Sequence, residues 1–181
     1  MNYIAILRGI NVGGKRKIPM ADLRQNLEKI GFKNVKTYIQ SGNIIFNENV
    51  KNISKMETQL EKFILDTYGF EVPVIIRSAE QVEKAISDNP YFSKESDLDR
   101  LHLSFLKQAP DAENIDKAKN ANYEPDSFEV KGKNAFVYCT GKYSDSKLTN
   151  NFFENKLKVA ATTRNWKTVL KLQELLQKDA V

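Results

Sequence analysis

The sequence predicts an α+β chain built as a tandem duplication of two ferredoxin-like plaits, and three observations carry that expectation. Two stretches end alike: Val72-Pro73-Val74-Ile75-Ile76-Arg77-Ser78 runs into a helical pattern at 79–88, and Val159-Ala160-Ala161-Thr162-Thr163-Arg164-Asn165 runs into Trp166–Gln177. Read backward from those endings, both halves give the same order of strand, helix, hairpin, helix and strand, the self-similarity to test before any motif. The repeated βαββαβ unit is a split-βαβ motif, whose usual form lays two helices on one face of a four-stranded antiparallel sheet.

The first half opens with Tyr3–Arg8, a short apolar run bounded by turn residues. A helix follows, opening at Pro19 where a missing N–H is harmless, with Met20, Leu23, Leu27 and Ile30 on one face and a stop at Gly31. Val35–Gln40 and Ile44–Asn47 flank Ser41-Gly42-Asn43 and read as a hairpin. Ser54 with Glu57 three residues on reads as a capping box, heading a helix that aligns Met56, Leu60, Phe63 and Ile64. Strand Val72–Ser78 closes the half, and Ser78 with Gln81 offers a second box for a trailing helix, Ala79–Ser87.

The second half repeats the scheme with strand Leu101–Lys107, a short helix near 111–119, and a hairpin of Ser127–Lys131 and Ala135–Cys139 around Gly132-Lys133-Asn134. A helix over 146–157 runs through Leu148, Phe152 and Leu157, and Asn165 caps the trailing helix Trp166–Gln177. The domain expectation is therefore a first half at 1–88, a connector at 89–100 and a second half at 101–181, each half of a size for a small domain.

Composition narrows the function classes. With 181 residues and 41% apolar content the chain can bury one core or two small adjoining ones. No apolar run approaches the ~20 residues that span a bilayer, and the N-terminus lacks the zones of a secretory signal, so no membrane partner is expected and the cytoplasm is the expected address. The single cysteine, Cys139, excludes an intramolecular disulfide, and Cys/His zinc spacings are absent; neither metal nor cofactor is expected. The only histidine, His102, alternates with Leu101, Leu103 and Phe105 in a strand, and reads as a sheet residue with a hydrogen-bond partner rather than a general base. The net charge of +5 mixes 28 cations with 23 acids, which permits an anionic partner without drawing a polyanion stripe.

One cation cluster stands out: Arg8, Lys15, Arg16 and Lys17 flank Gly9, Gly13 and Gly14. Glycines at positive φ let successive N–H groups converge on an anion. Gly9 through Lys15 matches the start of a P-loop, but Arg16 stands where a Ser or Thr must hold magnesium, and Pro19 starts the helix too late to cradle phosphate. Nucleotide hydrolysis by that route is rejected. What stays is a backbone anion site assisted by Arg8 and Lys15. In an antiparallel plait the first strand ends at the edge where the second turns into the third, so Ser41, Gly42 and Asn43 are expected beside the loop, with Tyr38 or Gln40 at its side. Asn165 and Trp166 read first as a helix cap and an anchor of the last helix.

Leu7-Arg8-Gly9-Ile10-Asn11-Val12-Gly13-Gly14, Tyr38-Ile39-Gln40-Ser41-Gly42-Asn43 and Thr163-Arg164-Asn165-Trp166 together resemble the signatures of the bacterial family catalogued as domain of unknown function 1697. The resemblance runs from Tyr3 to about Leu176. It implies a duplicated ferredoxin-like fold and no established activity, and it adds weight to Arg8, Gly9, Asn11, Gly13, Gly14, Ser41, Gly42, Asn43, Arg164, Asn165 and Trp166. Three readings follow. The first is a small anionic metabolite, phosphorylated compounds included, bound at loop 9–14 and turn 41–43, with or without catalysis. The second is RNA or DNA on a basic plait surface. The third is an assembly module with no ligand.

Overall fold

The computed structural model describes residues 1–49 and 52–178. They form two units, Met1–Val82 joined by the chain from Leu172 onward, and Glu83–Lys171. In the first, β1 (Asn2–Leu7) is apolar from Ile4 to Leu7 and takes the centre of a four-stranded sheet ordered β2-β3-β1-β4. Its antiparallel partners are β3 (Asn43–Asn47) and β4 (Val74–Ser78), and β2 (Lys33–Tyr38) lies outside β3. Helices α1 (Met20–Lys29) and α2 (Ile53–Tyr68) pack Leu23, Leu27, Met56, Leu60 and Ile64 against Tyr3, Ala5, Leu7, Ile44, Phe46, Val74 and Ile76. Those strand positions recur every second residue, as one face of a pleat requires.

The second unit repeats the order. Strands β5 (Leu101–Leu106), β6 (Ser127–Lys131), β7 (Asn134–Tyr138) and β8 (Ala161–Asn165) form a sheet ordered β6-β7-β5-β8. Helices α4 (Ala112–Lys119) and α5 (Asn150–Leu157) close a core of Leu106, Ala118, Phe128, Ala135, Val137, Phe153, Leu157 and Ala161. Helices α3 (Ala79–Asp88) and α6 (Trp166–Lys178) trail the two βαββαβ runs. The fold is α+β, a ferredoxin-like plait twice over.

Hydrogen bonds carry the duplication where residue identity does not. At the end of β1, Leu7 N donates to Gly42 O (2.8 Å) and Arg8 N to Pro73 O (3.1 Å); at the end of β5, Leu106 N donates to Lys133 O and Lys107 N to Ala160 O, both at 2.9 Å. The outer edges of β4 and β8 are satisfied by the neighbouring helix. Ile76 N and Val74 N donate to Glu57 Oε1 and Glu61 Oε1 (2.9 Å each), and Thr163 N and Ala161 N donate to Asn150 Oδ1 (2.9 Å) and Glu154 Oε1 (3.2 Å). Four residues of helix rise about 6 Å and two of strand about 6.7 Å, so side chains one turn apart meet alternate N–H groups of an edge strand. Beside these bonds sit two buried guanidiniums: Arg77 Nη1 donates to Ile76 O and Arg164 Nη1 to Thr163 O. Burial lowers both to about 10, with the Glu57 charge opposing the shift at Arg77.

Several sequence expectations shift at element ends. The α2 cap is Asn52, whose side chain accepts from Lys55 N, and Glu57 is drawn away to Ile76, so the Ser54 box does not form. Ile30 is the C-cap of α1 and is 42% exposed rather than on the buried face. Helix α5 starts at Asn150 behind the cap Thr149, after a short turn of 3-10 helix at Tyr143–Asp145, and buries Phe153 where Phe152 was expected. The trailing caps form as read: Ser78 and Gln81 bond reciprocally (3.0 and 3.3 Å), and Asn165 Oδ1 accepts from Thr168 N (2.8 Å).

Candidate functional site

Twelve residues, 8–19, connect β1 to α1, whereas five, 107–111, make the same connection in the second unit. The plait frame therefore does not need most of this loop. Within it, Asn11 N donates to Arg16 O and Lys15 N to Val12 O, both at 3.1 Å, closing a miniature hairpin. Gly13 (φ 58°) and Gly14 (φ 75°) are its two central residues, both left-handed, which is the turn that matches strand twist and favours glycine. The expected convergence of amides over 9–14 is corrected at Asn11, whose N–H is spent inside the loop. Gly13 N and Gly14 N have no acceptor among the described residues.

The Asn11 side chain is a staple. Its Oδ1 accepts from Ile18 N (2.9 Å), and its Nδ2 donates to Ile18 O and to Gln40 O (3.0 Å each), tying both arms of the loop to the β2–β3 turn. The turn is braced from its own side by buried Asn43, whose Nδ2 donates to Tyr38 O (3.0 Å) and Ser41 Oγ (3.3 Å). Gly42, at φ 85°, packs under Ile10 and Leu7. Loop and turn are thus neighbours, as plait topology requires.

Between them lies an open groove of about 360 Å³ lined by Asn11, Gly14, Lys17, Ile18, Pro19 and Gln40. Lys15, Arg16 and Lys17 are exposed, Arg8 is half-buried, and Arg16 Nη1 lies 3.6 Å from where a Cβ on Gly9 would be. Sequence reasoning passed over Lys17 and Ile18 as lining residues, and over Ile39, which sits at φ 52° in the turn. No residue type in the segment signals that conformation.

Arg164, Asn165 and Trp166 belong to the Glu83–Lys171 unit. Asn165 is the α6 cap, and Trp166 is fully buried, with its ring 5.3 Å from that of Phe92. Its indole is packed in the core. Cys139 is buried, and burial pushes its thiol up, away from reactivity. Among the described residues no cluster of His, Cys, Asp and Glu is placed to hold a metal ion, and no helix is long and apolar enough to cross a membrane.

His102 is 6% exposed, stacks on Tyr143 at 4.3 Å and has no partner for Nδ1 among the described residues. Burial lowers its pKa below the usual 6.5, against smaller upward effects of a hydrogen bond to the Arg100 backbone and of Asp99 and Asp126. The folded state therefore holds it neutral while the unfolded chain takes up a proton near 6.5. Its contribution is complete above that pH and is lost as pH falls toward the lower folded value, with a slope of at most about 1.4 kcal/mol per pH unit. Urea unfolding at stepped pH between 7.5 and 5 is expected to show this loss in the wild type and a shallower one in His102→Gln.

A search of curated proteins finds no match. Among solved structures, the conserved bacterial protein SP0830 from Streptococcus pneumoniae is similar, with a TM-score of 0.73 and 29% identity over 97% of this chain and 98% of that one. The family profile described as "Protein of unknown function (DUF1697)" matches residues 1–136. That span holds the glycine-rich loop, its staple to Gln40 and the β2–β3 turn, and leaves Thr163-Arg164-Asn165-Trp166 beyond it. With three quarters of its length matched, including the loop that only the first unit carries, the chain belongs to the DUF1697 family.

Proposed function

We propose that the protein binds a small anionic metabolite, phosphorylated compounds being the class to try first, at the groove between loop 8–19 and the β2–β3 turn. The observation that carries this reading is the one-sided loop. A connection more than twice as long as its counterpart, present in one repeat only, is where a duplicated frame is free to add a binding surface. Its chemistry suits an anion: exposed Lys15, Arg16 and Lys17 give charge-assisted bonds, and the amides of Gly13 and Gly14 are available as donors. The Asn11 staple holds the donors in place before a ligand arrives, which lowers the ordering cost of binding. A nucleic-acid surface has less support, since Phe136 of β7 is fully buried and unavailable for base stacking.

A thermal-shift screen of phosphorylated metabolites tests the proposal. A true ligand at one hundred times its Kd adds about 2.7 kcal/mol of stability, or roughly 5–10 °C for a chain of this size. Lys17→Ala, at an exposed position, is expected to leave the unliganded melting temperature unchanged and weaken the ligand about tenfold, the scale of one charge-assisted bond. No shift with any member at millimolar concentration, or a shift indifferent to Lys17→Ala, would sink it.

A further inference from the structure

Ile39 is the residue of this region that folding explains least. It is β-branched yet sits at φ 52°, in the left-handed region that Gly and Asn occupy readily and Ile very rarely. It is also 46% exposed, so burial of its side chain does not offset the strain. Strained, exposed residues cluster at ligand-binding sites, where the strain persists because the position serves something other than stability. A second apolar side chain, Val12, is 65% exposed at the first corner of the Gly13-Gly14 turn.

Neither tip is among the residues that line the groove, but each adjoins one that is. Val12 is the chain neighbour of Asn11, Ile39 is the chain neighbour of Gln40, and Asn11 and Gln40 are hydrogen-bonded to each other and line it. Lys15, Arg16 and Lys17 stand on the same loop, and neither Arg8–Pro19 nor Lys33–Asn47 contains a carboxylate. The two segments thus offer cations and two exposed apolar side chains and carry no carboxylate of their own. We infer that the groove's ligand is an anion carrying an apolar body, such as an aromatic ring or short acyl chain, whose charged end meets Lys15 and Lys17 and whose body rests against Ile39 and Val12. This rests on the anion reading above and narrows it: a bare oxyanion leaves Ile39 without a use.

The test is calorimetric titration of the full chain with inorganic phosphate and with phenyl phosphate, in the wild type, Ile39→Asn and Lys17→Ala. Asn tolerates the backbone at 39, so Ile39→Asn is expected to melt higher than the wild type and to remain folded. The wild type is expected to bind phenyl phosphate about tenfold more tightly than inorganic phosphate, the scale of one partly buried aliphatic contact. Ile39→Asn should bind the two within about twofold of each other, while Lys17→Ala weakens both. Equal wild-type affinities, or a preference that survives Ile39→Asn, overturn this inference and leave the anion reading standing. Binding of neither probe overturns both.

Discussion

Gly42→Ala is expected to destabilise the protein by about 2–5 kcal/mol, the sum of a left-handed backbone cost and forced overpacking. Gly42 sits at φ 85°, and a Cβ there would lie 2.6 Å from Ile10 Cδ1 and 2.8 Å from Leu7 Cβ. The second contact decides the size of the effect, because a Cβ cannot swing aside without moving the backbone of β1. Leu7 N donates to Gly42 O at 2.8 Å, so pushing the turn away from β1 also stretches the bond that joins them. Gly13→Ala is the control: its φ of 58° carries the backbone cost, but nothing lies within 4 Å of the added methyl, so about 1–2 kcal/mol is expected. Urea denaturation of the two variants separates conformational strain from steric conflict, and equal losses would contradict the packing described for the turn.

Glu57→Ala is expected to cost about 1.5–3 kcal/mol, the range for a buried hydrogen bond to a charged group. Glu57 is 5% exposed, and its Oε1 accepts from Ile76 N at 2.9 Å. Its charge also supports the Arg77 guanidinium, which is 4% exposed and lowered to about 10 by burial. Alanine removes the acceptor and the charge together, leaving a buried donor unsatisfied and a buried cation with less compensation. Glu57→Gln keeps an oxygen in reach of Ile76 N and removes only the charge, so it is expected to fall between alanine and the wild type. The spacing between the three stabilities in urea apportions the two effects. An alanine variant as stable as the wild type would mean that the bond to β4 contributes nothing.

What the sequence made legible was local. Ser78 with Gln81 and Asn165 with Thr168 are caps completed within three residues, and both form as read. Plait topology brought the loop to the turn without any contact being visible in the sequence. What stayed hidden at Glu57 and Asn11 has one cause, a distant partner that takes the side chain. Glu57 bonds Ile76, nineteen residues on, instead of capping its own helix, and Asn11, which lines the groove, also reaches Gln40, twenty-nine residues away, a bond no local pattern announces. Ile39 was missed for another reason: nothing local favours an isoleucine at positive φ, so propensity argues against what the backbone adopts there.

The carboxylates and amide that α2 and α5 extend to β4 and β8 bear on how copies of this chain meet one another. A terminal strand with unsatisfied amides is a template on which another polypeptide can lengthen the sheet, and from there grow fibres. Here Glu57, Glu61, Asn150 and Glu154 already fill those donor sites, so a visiting strand at either place would have to displace an intramolecular bond at every second residue. Growth by strand recruitment is thereby discouraged on that side of each half, with three of the four acceptors Glu and the fourth Asn.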